Sequence, residues 1–121
     1  MVCMAGKLSS RQQAQAAFLG TLPPKFERIH RVIEQMAAQQ ADESTIRGLA
    51  RLLDEVKAGA QALSLNNVAE SAGLMGTMSR RGGGLQLKVR GLRELFGSLR
   101  INYEGALKAA TTPETPDDAA E

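Results

Sequence analysis

Apolar residues recur at helical spacing along most of this chain. Ile46, Leu49, Leu53, Val56, Ala60 and Leu63 follow one another at 3, 4, 3, 4 and 3 residues. Such spacing keeps one face apolar and predicts a helix over 43–63, roughly 30 Å long at about 1.5 Å per residue. Leu85, Val89, Leu92, Phe96, Leu99, Tyr103 and Ala106 repeat at 4, 3, 4, 3, 4 and 3 and predict a longer helix over 85–109. Phe26, Ile29, Ile33 and Met36 predict another over 24–40. Val68, Ala72 and Met75, interleaved with the small residues Ala69, Gly73 and Gly76, predict one over 67–81. A short first helix is expected from Ser9 to Gly20, where Ser10 and Gln13 have capping-box spacing. No segment alternates apolar and polar residues as a half-buried strand would.

The breaks between these segments carry their own signals. Thr21-Leu22-Pro23-Pro24 stops the chain and restarts it, because proline is tolerated in a first turn whose N–H groups are unpaired anyway. Gln39 to Asp42 reads as a turn, with Asp42 or Ser44 as the next N-cap, and Ser64 to Asn67 as another, with Asn66 or Asn67 as cap. Gly82-Gly83-Gly84 ends the fourth helix after Arg80 and Arg81, whose charges suit the negative end of its dipole. From Thr111 onward prolines, threonines and acids describe a disordered tail. The expected fold is all-α: an antiparallel four-helix bundle over 9–110 with an additional short N-terminal helix, a flexible stretch over 1–8 and a disordered acidic tail over 111–121. Its core is expected to hold Phe26, Ile29, Ile33, Leu49, Leu53, Val56, Leu63, Leu92, Phe96 and Leu99.

Composition narrows the chemistry. The chain of 121 residues fits one domain, and with no Trp, one Tyr and three Phe its core must be aliphatic. It has no run of 18 apolar residues and no basic-then-apolar leader, so no membrane attachment and no secretory signal are expected. Cys3 is the only cysteine and His30 the only histidine. Together they exclude an internal disulfide, a zinc site and a nucleophile–base pair, and they are consistent with a reducing cytoplasm. The triple glycine lacks the lysine and serine of a phosphate-binding loop. No metal, no cofactor and no catalysis are expected. Residues 71–110 carry seven Lys/Arg against two acids, 42–70 five acids against three bases, and the last eleven residues four acids and no base. The bases are scattered around their helix without stacking aromatics, so nucleic acid is not expected as a partner.

The stretch from Leu49 to Leu65, Leu-Ala-Arg-Leu-Leu-Asp-Glu-Val-Lys-Ala-Gly-Ala-Gln-Ala-Leu-Ser-Leu, resembles the histidine-containing phosphotransfer (HPt) motif. That motif reads His-x-Leu-Lys-Gly-x-Ala, followed by an aliphatic residue and a glycine before the next helix. Val56, Lys57, Ala60 and Leu63 stand at matching positions, and Asn66-Asn67-Val68-Ala69-Glu70 resembles the family's entry into that helix. Three positions depart: Asp54 replaces the phospho-accepting histidine, Ala58 the glycine beside it, and Ser64 the later glycine. The resemblance therefore implies a pseudo-phosphotransfer domain that takes no phosphoryl group and docks a response-regulator receiver domain or a histidine kinase in two-component signalling. Asp54, Lys57, Ala58 and Gln61 share one helical stripe and are the expected partner-binding residues, helped by Ala58, Gly59 and Ala62 keeping the surface low. Asp54 and Lys57 stand three residues apart, as a surface ion pair would. The alternatives are an adaptor forming a homodimer through the small residues of the fourth helix, and a phosphotransfer protein using His30.

Overall fold

The computed structural model describes residues 7–113, and within them the regular structure is entirely helical. Five helices follow in order: α1 (Ser10–Leu19), α2 (Leu22–Ala37), α3 (Glu43–Ala62), α4 (Asn66–Arg80) and α5 (Leu85–Thr111). α3 packs on α4, α4 on α5, α5 back on α2, and α2 on α3, while α1 lies chiefly against α5. The four longer helices thus close a ring around one aliphatic core.

The seams read from the sequence are the faces that meet. Phe26, Ile29, Ile33 and Met36 of α2, Leu49, Leu53, Val56 and Ala60 of α3, and Val89, Leu92, Phe96 and Leu99 of α5 are all buried. Leu63 is only half-buried and packs against the core from outside, because α3 has ended one residue before it. The buried set also includes Leu19, Leu22, Leu52, Leu65 and Ala110, which lie at helix ends or beside the main stripes. α4 contributes Val68, Ala69, Ala72 and Met75. Phe26 meets Phe96 and Tyr103 edge-on, at centroid distances of 6.1 and 5.1 Å, so the few aromatic rings concentrate between α2 and α5.

Helix ends depart from the expected caps in physically clear ways. The capping box of α1 is Ser9 with Gln12, one residue earlier than the Ser10–Gln13 pair. Both spacings satisfy the rule, and the earlier one lets the Gln12 amide also donate to the carbonyls of Ala109 (3.1 Å) and Thr112 (2.7 Å) at the end of α5. α5 runs on to Thr111, the first residue of the expected tail. The expected tail beyond Pro113, like most of the expected flexible N-terminus and Cys3, lies outside the described residues. α3 begins at Asp42, whose carboxylate accepts from the Thr45 N–H at 2.8 Å.

Neither Asn66 nor Asn67 caps α4; its N-cap is Leu65, without a side-chain cap. The reason is the way α3 finishes. The Leu65 N–H bonds to Ala60 O at 2.8 Å and the Ser64 N–H to Gln61 O at 3.1 Å, with Ser64 in the left-handed region at φ 60°. This is a Schellman closure. It buries Leu65, so the residue at the cap position is occupied by the core. α2 ends the same way, with Gln39 at φ 59° and the Gln40 N–H on Gln35 O at 2.8 Å.

Candidate functional site

The geometry of α3 is set by its apolar face. With Leu49, Leu53, Val56 and Ala60 turned inward, residues 54, 57, 58 and 61 fall on the opposite stripe, and all four are exposed. α4 flanks this stripe closely because glycines stand where it meets the side chains of α3. A Cβ on Gly73 would stand 3.3 Å from Lys57 Cδ, and one on Gly76 would stand 3.5 Å from Asp54 Oδ1. The small residues therefore serve the contact between α3 and α4 within the chain: Ala69, Ala72 and Gly76 are buried there.

Asp54 is paired across the groove with Arg80 of α4 rather than with Lys57. Both guanidinium Nη atoms reach the carboxylate, Nη1 at 3.3 Å from Oδ1 and Nη2 on Oδ2. The hydrogen bond and charge of Asp54 raise the pKa of Arg80 further above its ordinary value. The i,i+3 pair expected from the sequence does not form, because Lys57 lays its alkyl chain over Gly73. Asp54 presents an arginine-bound carboxylate, not a lone anion.

Lys57 and Gln61 line a shallow groove of about 350 Å³ with Glu70, Gly73, Leu74 and Thr77. Leu74 is 50% exposed, an apolar side chain on the rim that sequence reasoning passed over because it lies off the Val68–Ala72–Met75 seam. Ala58 stands on the outer crest of α3, exposed and beside the groove rather than in it. Gly59 does not lower the docking surface. It faces α1, where a Cβ would come within 2.8 Å of Phe18 Cζ and closer still to Cε1. The structure thus groups Lys57 and Gln61 in the α3–α4 groove, sets Asp54 beyond its lining on Arg80, leaves Ala58 outside it, and assigns Gly59 to internal packing.

His30 is exposed on α2, its ring stacked on Phe96 at 6.1 Å with the planes 23° apart. It lies in a groove of about 690 Å³ between α2 and α5 that also holds Arg31, Glu34 and Arg100, away from the α3–α4 face. Among the described residues no three His, Cys, Asp or Glu side chains are grouped as a metal site would need. Among the described residues no helix is long and apolar enough to cross a membrane. The bases are less dispersed than their spacing along the chain suggests. Arg80, Arg81 and Lys88 share a cleft with Arg47 and Arg51 of α3, a grouping that depends on how three helices meet and so is not visible in any one segment. No family model, curated protein or solved structure matches the chain.

Proposed function

We propose that the chain is an antiparallel four-helix bundle of the HPt type with an added N-terminal helix, and that it acts as a catalytically silent phosphotransfer-like domain. In this reading it binds a receiver domain or a histidine kinase through the α3–α4 face and modulates signalling without accepting a phosphoryl group. The observation that carries it is positional. The residue at the place of the phospho-accepting histidine, Asp54, is exposed in mid-helix beside α4, the motif lysine lies one turn further along the same face, and Ser64, at the place of the motif's later glycine, has the left-handed backbone that glycine favours. A carboxylate at position 54 offers no imidazole nitrogen to phosphorylate. Leu74 on the rim supplies the apolar contact that a protein partner would cover.

The test is a paired experiment on the full chain with a panel of phosphorylated receiver domains. The parent should gain no label, whereas Asp54→His combined with Ala58→Gly should gain acid-labile, base-resistant phosphate. Ala58→Arg should abolish docking while changing stability by no more than about 0.5 kcal/mol, as exposed substitutions do. Stable phosphate on His30 of the parent, or docking that survives Ala58→Arg, would overturn the proposal.

A further inference from the structure

One end of the molecule collects positive charge in a concave place. A cleft of about 600 Å³ between the first half of α3, the end of α4 and the first turn of α5 is lined by Arg47, Arg51, Arg80, Arg81 and Lys88, with Glu43 the single acid on its wall. Among the described residues the ion pairs are Arg80–Asp54 and Arg93–Glu34, so Arg47, Arg51, Arg81 and Lys88 face the cleft outside any ion pair, although Arg47 also feels the charge of Asp42. A counter-charge bound in the cleft would relieve the mutual repulsion of these like charges. The carbonyl end of α4 offsets part of it.

The lining also indicates which anion fits. Four of the five cations are guanidinium groups, whose planar forks take two oxygens of a phosphate at once. The apolar wall is Ile46 and Ala50. No aromatic ring is present for a base to stack on, which disfavours single-stranded nucleic acid. The volume suits a small ligand rather than a flat protein surface. We propose that this cleft binds a compact, multiply charged phosphate anion, such as the oligophosphate group of a small molecule.

Arg80 connects the cleft to the α3–α4 face, since it lines the first and holds Asp54 on the second. A phosphate oxygen in the cleft competes with Asp54 for that guanidinium, so occupancy of the cleft frees the Asp54 carboxylate. The consequence for partner docking rests on the function proposed above. The anion site does not.

Inorganic tripolyphosphate titrated into the full chain by calorimetry, with amide chemical shifts recorded in parallel, tests the site directly and without a protein partner. One saturable site is expected, with shifts concentrated at residues 47–51, 80–82 and 88. Arg51→Gln and Arg81→Gln should each weaken binding about tenfold, the scale of one lost charge-assisted contact. Asp54→Asn should tighten it severalfold by removing the competitor for Arg80. Lys108→Gln, an exposed base at the other end of α5, should leave it unchanged. Equal weakening by Lys108→Gln, indifference to Arg51→Gln and Arg81→Gln, or an oligonucleotide that binds these residues more tightly than tripolyphosphate would each overturn the proposal. Loss of receiver docking with anion binding intact would count against the proposed function alone.

Discussion

Glycine in mid-helix means opposite things at positions 59 and 97, and only the folded chain tells them apart. Around Gly97 a Cβ would meet nothing within 4 Å, so Gly97→Ala should stabilise the protein by about 1 kcal/mol, the ordinary helix-propensity gain. At Gly59 the same change sets a methyl group against the Phe18 ring, within 2.8 Å of Cζ. That gain should vanish there, and near-ultraviolet or NMR signals of Phe18 should shift; an equal rise in melting midpoint for both variants would refute the packing assigned to Gly59. The sequence shows both glycines in helical segments and nothing of their neighbours, which is why it groups Gly59 with the exposed small residues of α3. Asp54 illustrates the same limit. Its position on the exposed stripe follows from the 3.6-residue period, but its pairing with Arg80 depends on how α4 is rotated against α3. Ser64 was legible as a turn residue, whereas its φ of 60° comes from the need to bury Leu65 behind it.

At the level of elements, the long helices were legible because their seams repeat over many turns, and the caps were less so because neighbouring residues satisfy the same rule. Ser9-x-x-Gln12 and Ser10-x-x-Gln13 are equivalent in spacing. Only the first leaves a glutamine amide pointing at the open carbonyls of α5. Gln12→Ala removes both that bridge and one side of the capping box, and should cost about 1–2 kcal/mol. Hydrogen exchange should localise the loss, with α1 amides exchanging faster while α3 and α4 keep their protection; uniform acceleration across all helices would assign Gln12 to the global core instead. Asp42 gives the corresponding test for α3. Hydrogen bonds from the Thr45 N–H and hydroxyl hold its carboxyl below its ordinary pKa. A folded-state pKa lowered in this way stabilises the helix at neutral pH, and the contribution disappears as pH falls from the unfolded-state value near ~4 through the lower folded one. Asp42→Ala should therefore lower the melting midpoint at pH 7, and the gap to the parent should close in acid. A gap that persists below both pKa values would show that the charge of Asp42 is not what supports the cap.

For the molecule as a whole, stability and docking should reside on opposite faces of the same two helices. α3 turns Leu53 inward, with no exposed surface, while α4 leaves Leu74 half in solvent beside Lys57 and Gln61. The first was legible from period alone: Leu53 lies on a seam of six residues, and its burial follows once α3 has anything to pack against. The second was not, because no residue on the outer side of α4 marks itself as a contact until the ring of helices is closed and the groove beside α3 has a rim. The two leucines make a clean comparison. Leu53→Ala leaves a cavity in the aliphatic core, where truncation of a buried leucine costs about 2–5 kcal/mol, and this should appear as a lower denaturation midpoint. Its effect on receiver docking, measured well below the melting transition, should be small because no atom of Leu53 reaches the surface. Leu74→Ala should do the reverse. Its stability should change by no more than about 0.5 kcal/mol, and docking should weaken by about tenfold, the loss of about 1.4 kcal/mol expected when a partner has buried most of that side chain. The comparison separates a docking face from a merely structural α3–α4 pairing. If Leu74→Ala weakened docking only in proportion to lost stability, or if Leu53→Ala were the more damaging to binding, the groove would be a seam of the fold and the partner would have to be sought on the α2–α5 side, where His30 and Phe96 stack.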